Sequence, residues 1–262
     1  MAPVMPERKR TGRPPTTALR AVVDALLYMA ATGCQWAMVQ RYFYDWRDSG
    51  LWARINHHLV MAARELEGRE ASPTAGVIDS QTVKTTESGG ISGYDAGKKI
   101  NGRKRHIVTD TLGLLVGLVV HGADIQDRDG APLVLKSILR AFAWLRHLFA
   151  DGGYAGPKLR PALQKTGDWT IEIVKRSDGA KGFEVIPRRW VVERTFAWLG
   201  RCRRLAKDFE KTIASAEACF SIAPSSQELE PPANPMGWMP PPGGVAICNV
   251  DLNREEQIER HP

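Results

Sequence analysis

Three carboxylates stand in three different local settings. Asp79 closes the apolar run Val77-Ile78, Asp151 follows Leu148-Phe149-Ala150 and precedes Gly152-Gly153-Tyr154, and Glu193 lies in the helical stretch from Trp190 to Phe196. Acidic side chains at strand ends and on an adjoining helix can converge into an oxygen cage for Mg²⁺, a hard cation that keeps several of its waters. Two divalent ions about 4 Å apart can activate a water or sugar hydroxyl and neutralise charge on the leaving oxygen of a phosphodiester. Gly152 and Gly153 allow the backbone to come close to a phosphate. Arg189 lies four residues before Glu193, and Arg201 and Arg204 lie eight and eleven after it, close to whole helical turns. One helix is therefore expected to present a metal ligand beside phosphate-gripping arginines. Any one of these acids, taken alone, is equally well read as a surface charge or a helix cap.

The charge of the chain agrees with a polyanionic partner. Its 262 residues carry a formal net charge of +7. The segment 224–262 holds six acids against two basic residues, so the remainder carries +11. Such a field attracts nucleic acid. Lys98 to His106 contains five fixed positive charges (Lys98, Lys99, Arg103, Lys104, Arg105) and no acid. Residues 188–211 hold eight Lys or Arg against three acids. A solvated face is the usual explanation for either cluster alone; beside an acidic cage they become candidate DNA tracks. Asp124, Asp127 and Asp129 crowd one loop and are alternative ligands or, for Asp129, a helix cap. His106 and His121 are candidate proton carriers but more simply structural, and Trp36, Trp46, Trp144, Trp190 and Trp198 are most simply core. No glycine fingerprint for nucleotides is present. The four cysteines are scattered without metal or disulfide spacing, which fits a reduced intracellular chain, and no apolar run is long enough to cross a membrane.

The elements that must position these residues follow from periodicity. Residues 1–70 read as a small helical subdomain, opening on the basic arm Arg8–Pro15, with Thr17 as a helix cap and a further helix from Val39 through Trp46. It is a candidate DNA-binding unit, or a helical layer packed on the core. Residues 71–218 read as a mixed sheet covered by helices, an α/β domain. Its parts are a strand ending at Asp79, a hairpin from Arg105 to Val120 turning at Asp110–Gly113, a helix over Pro132–Leu145, a strand at Leu148–Ala150, a helix from Pro157 to Gln164, a strand at Thr170–Val174 and a helix from about Arg188. Residues 219–262 hold eight of the 17 prolines and are expected to be a mostly disordered tail.

The motifs together resemble a known family. Val77-Ile78-Asp79-Ser80-Gln81-Thr82-Val83-Lys84, Gly97-Lys98-Lys99 with Gly102-Arg103-Lys104-Arg105-His106, Phe149-Ala150-Asp151-Gly152-Gly153-Tyr154, and Trp190 to Leu199 with Arg203 to Glu210 are similar to the insertion sequence five transposases, of the DDE class. The resemblance spans roughly residues 12 to 218. It implies a ribonuclease-H-like core, Asp79, Asp151 and Glu193 as the metal-binding triad, and Mg²⁺ (or Mn²⁺) as cofactor. It further implies cleavage at the terminal inverted repeats of a mobile element, followed by joining of the freed 3′ hydroxyl to target DNA. DNA and a second copy of the chain are the implied partners, and the bacterial cytoplasm, at the nucleoid, is the implied location. The family's usual spacer between the Gly33–Trp36 and Arg41–Tyr44 blocks is shortened here to Ala37–Gln40. Ile186 and Gly200 replace a Tyr and a basic residue of the wider signature, and the proline-rich tail replaces an Arg-rich helical ending. A nuclease that cuts without joining, and an inactive remnant that only binds DNA, are the competing readings.

Overall fold

The computed structural model describes residues 18–33, 39–87, 89–174 and 187–227. The basic arm, the Thr17 cap, Trp36, Ile186 and the segment from 228 onward lie outside the described residues. Strand β1 (Ala75–Lys84) is central. On one side it runs antiparallel to β3 (Ile100–Asp110), with Asp79 opposite Ile107. On the other it runs parallel to β5 (His147–Ala150), which is in turn parallel to β6 (Thr170–Ile173). The far edge of β3 carries the three-residue β2 (Gly93–Asp95) along Ile100–Gly102 and then β4 (Leu115–Gly122) from Arg103 onward. Three antiparallel strands thus lead into two parallel ones, with α4 (Asp127–Ile138) and α5 (Leu159–Gln164) in the connections. This is a ribonuclease-H-like α/β fold.

Alternation along the strands divides the core in two, because neighbouring residues point to opposite faces. Ile78, Val108, Leu148 and Ala150 face one way and pack with Val134, Leu135 and Ile138 of α4 and Leu159 and Leu163 of α5. Val77, Ile107 and Phe149 face the other way and pack with Val192, Phe196 and Leu199 of α6 (Pro187–Leu199). That second core also takes in Val22, Leu26 and Met29 of α1 (Leu19–Thr32), Phe43 and Trp46 of α2 (Gln40–Asp48), and Leu51, Trp52 and Ile55 of α3 (Leu51–Leu66). The N-terminal helices are therefore a layer of the same core. Asn56 of α3 donates to the Leu115 carbonyl at 2.7 Å, and buried Arg64 pairs with buried Asp110, which also accepts from the Leu112 and Leu114 amides in the hairpin turn.

Four elements depart from the expected boundaries. Asp79 lies in the middle of β1 rather than at its end, because the strand continues through Ser80–Lys84 along β3. β3 begins at Ile100, since the basic run finds partners inside the protein. α4 starts at Asp127 and stops at Ile138; Asp127 and Asp129 in its first turn favour the earlier start, and Pro132 sits inside it. α7 (Ile213–Gln227) carries helix through the boundary at 218, and Cys219, Phe220 and Ile222 are buried against the N-terminal helices. Trp144, expected in the core, is 72% exposed.

The chain between α6 and α7 is tied to the sheet by an arginine. Arg103, fully buried, meets the Asp208 carboxylate at 3.0 Å and donates to the Glu210 and Ile91 carbonyls at 2.8 and 2.7 Å. Asp208 in turn donates its amide to the Lys84 carbonyl at the end of β1. Arg103→Met leaves a buried carboxylate without its cation, and a loss of about 3–5 kcal/mol in urea-denaturation stability is expected; an unchanged midpoint would show that the fold does not depend on the pair.

Candidate active site

The parallel register of β1 and β5 places the first two acids. Ala75 lies opposite His147, Gly76 opposite Leu148 and Val77 opposite Phe149. Continuing that register by two residues puts Asp79, within β1, beside Asp151, just past the end of β5, and alternation directs both to the α6 face. Asp79 is half-buried and accepts the Ser80 amide at 2.7 Å. Burial first, and the nearby Asp151 carboxylate as well, push its pKa up to about 6, against the pull of Arg189 and Lys98. Asp151 accepts the Gly153 amide at 2.8 Å, capping the 3₁₀ turn Gly152–Tyr154.

α6 brings the third acid to the same edge but turns it toward an arginine. The Arg189 guanidinium is 3.1 Å from Glu193 Oε1, one helical turn on, and 3.9 Å from Asp151 Oδ2. Arg189 therefore stands between the two carboxylates as the positive charge that this acidic corner requires. Among the described residues no three acidic, histidine or cysteine side chains are arranged as a ready metal cage. Glu193 has a side chain 47% exposed, so a rotamer change alone can release it from Arg189. The donor set fits a divalent cation on chemical grounds: two aspartates side by side, one of them poorly solvated and short of compensating charge, are hard oxygen ligands. Asp79, Asp151 and Glu193 are the residues that would hold it.

The expected phosphate-gripping residues separate into an outer and an inner set. Lys98, Lys99 and Arg201 are exposed, and Lys98 is near enough to Asp79 to stabilise its charged form. Arg103 and Arg105 are buried and Arg204 is half-buried, each engaged by partners within the protein. Arg105 donates to the Leu205 carbonyl at 2.9 Å and lies over the Phe220 ring, and burial pulls its pKa down to about 10. Arg204 grips buried Glu210 at 2.6 Å. Neither Arg201 nor Arg204 belongs to α6, which ends at Leu199, so the helical spacing drawn from Glu193 does not extend to them. Lys104 is also buried, 3.0 Å from Asp127 and 3.6 Å from Asp95.

Sequence reasoning named His106, His121, Lys104 and Asp127 singly but missed Ser80, Tyr154 and the network they form together behind the sheet. Ser80 donates to Asp127 at 2.7 Å, the Tyr154 hydroxyl is 3.2 Å from His106 Nδ1, and the His106 and His121 rings stack at 4.8 Å. Burial, with His121 next, drives the His106 pKa down to about 3, so it is neutral and structural. The available signal was alternation: Ser80, Thr82, Lys104 and His106 fall on the same strand faces as Ile78 and Val108, where apolar residues were due.

Residues 70–224 match the family model described as Transposase DDE domain, and residues 1–56 match Putative transposase of IS4/5 family. The chain belongs to the DDE transposase family. The first match runs from β1 into α7 and so contains all three acids; the second covers α1 and α2. The putative transposase for insertion sequence element IS402 of Burkholderia cepacia is 33% identical over 117 residues, 42% of this chain and 54% of that protein. The chain thus spans about half the length of that relative. Among the described residues no helix is long and apolar enough to cross a membrane.

The raised pKa of Asp79 has a consequence for this DDE core. The folded state keeps the proton to about pH 6, whereas an unfolded aspartate loses it near 3.8. Stability contributed by the protonated form therefore falls as pH rises from about 4 to about 6 and stays lower above. In metal-free buffer, Asp79→Asn is expected to be more stable than the parent at pH 7.5 by about 2 kcal/mol, roughly 4–8 °C in Tm, with the difference vanishing near pH 4. Equal melting temperatures at both pH values would show that Asp79 carries no desolvation cost.

Proposed function

We propose that the chain is a transposase that cuts DNA strands at the terminal inverted repeats of its element and joins the freed 3′ hydroxyl to target DNA, with Mg²⁺ or Mn²⁺ held by Asp79, Asp151 and Glu193. The observation that carries the reading is the level, same-face placement of Asp79 and Asp151 within reach of Arg189 and Lys98, in a member of the DDE family. Divalent ions held by these residues would supply activation of the attacking water or hydroxyl and neutralisation of the leaving oxygen. Lys98 and Lys99, on the turn after β2, and Arg201, just beyond α6, are exposed cations that supply grip on the phosphates. Arg189, 3.1 Å from Glu193 and 3.9 Å from Asp151, is placed to neutralise these carboxylates and would be available to a phosphate oxygen if a bound cation took over that role. Two copies hold the two ends, and the protein acts in the bacterial cytoplasm at the nucleoid.

Incubation with Mg²⁺ or Mn²⁺ and labelled repeat-end DNA tests the reading. Joined products are expected; cleavage alone would make the protein a nuclease, and retention without cleavage a binding remnant. Asp151→Asn is expected to abolish cleavage and leave DNA binding in place, and cutting at the parent's rate would remove Asp151 from the site. The double change Lys98→Glu, Lys99→Glu is expected to lower the slope of log affinity against log salt by about one for each phosphate the turn no longer grips. A slope identical to the parent's would take that turn off the DNA.

A further inference from the structure

The α4 side of the sheet carries buried polar groups that no step of the proposed reaction uses. Ser80 directly follows Asp79 and so points to the opposite face. Tyr154, three residues after Asp151, folds under the sheet to that same face and is 1% exposed. Its hydroxyl is 3.2 Å from Nδ1 of fully buried His106 and lies against the Ser80 side chain. Ser80 donates to Asp127 Oδ1 at 2.7 Å, and the same oxygen receives Lys104 Nζ at 3.0 Å. Four elements are thereby linked: β1, β3, the turn after β5 and the first residue of α4. Two of these carry Asp79 and Asp151. Apolar side chains would fill this volume without desolvating a lysine and an aspartate, so the network is best explained by the geometry it imposes. A buried hydrogen-bonded network fixes the relative positions of its members more narrowly than apolar packing does, and here it runs through His106 Nδ1 while His106 Nε2 has no partner. The seat is close as well: a Cβ at Gly130 of α4 would come within 2.3 Å of His106 Nε2.

We propose that Tyr154, Ser80 and Asp127, joined through His106 and Lys104, are positioning residues that hold the Asp79 and Asp151 carboxylates at the separation a shared divalent cation requires. Each acid sits one to three residues from a member of the network, on the reverse of the same backbone. The chain continues outward as well. Lys104 reaches Asp95 at 3.6 Å, and Asp95 accepts the Gly97 and Lys98 amides at 3.0 Å each, which fixes the turn that presents Lys98 to the acids. The positioning role rests on Asp79, Asp151 and Glu193 being a metal site.

Mn²⁺ titration of the full chain by electron paramagnetic resonance, without DNA, tests it. The parent is expected to bind and Asp79→Asn to lose binding. Tyr154→Phe, which removes one oxygen and keeps the ring, is expected to weaken Mn²⁺ affinity roughly 10- to 100-fold with metal-free Tm unchanged, cleavage returning at raised Mn²⁺. Parental Mn²⁺ affinity in a folded Tyr154→Phe would overturn the positioning role while leaving the metal site standing. Should that variant fail to fold, Ser80→Ala carries the same expectation and the same overturning result. A parent that binds no Mn²⁺ would defeat the metal-site reading and this proposal together.

Discussion

Two aspartates forced side by side by a strand register are the constraint on which the rest of the structure depends. The pairing of Ala75 with His147 and Val77 with Phe149 leaves Asp79 and Asp151 no choice but to stand level on one face. Burial of Asp79 disfavours its charged form, and the nearby Asp151 carboxylate adds to that, so its pKa rises to about 6. A positive charge is needed between or beside them. Arg189 supplies it in this structure, drawing Glu193 to itself.

The sign of the chain's charge does not by itself locate its DNA surface. Much of the basic character of Lys98–His106 and residues 188–211 is internal: Arg103 and Arg105 bind carbonyls and Asp208 in the segment after α6, and Arg204 closes on Glu210. Arginine suits this use because its planar fork can serve several acceptors while staying charged. These interactions clamp the chain between α6 and α7 against the sheet. Lys98, Lys99, Arg188, Arg201, Arg203, Lys207 and Lys211 remain exposed, and of these Lys98 acts on the Asp79 carboxylate.

The apolar strand residues beside Asp79 and before Asp151, and the helix that carries Glu193, were legible in the sequence, as was the hairpin around Asp110–Gly113 from its turn. The Val192, Phe196 and Leu199 stripe of α6 faces the core as its spacing requires. The fate of the basic run was not legible, because Arg103, Lys104 and Arg105 have partners at positions 208, 127 and 205, remote in sequence. For the same reason the helical character of residues 219–227 was hidden: Phe220 and Ile222 gain their burial from α1, at the other end of the described chain, while local composition near Pro224 favours irregular chain. Lone periodicity also misplaced α4, whose start is set by acids in its first turn rather than by Pro132.

Diffraction from crystals soaked in Mn²⁺, with anomalous scattering used to locate the metal, tests the central claim most directly. The account predicts a metal peak about 2.0–2.2 Å from carboxylate oxygens of both Asp79 and Asp151, with Glu193 rotated off Arg189 toward it. A strong peak bound elsewhere, with Arg189 still between Asp151 and Glu193 at saturating Mn²⁺, would contradict it.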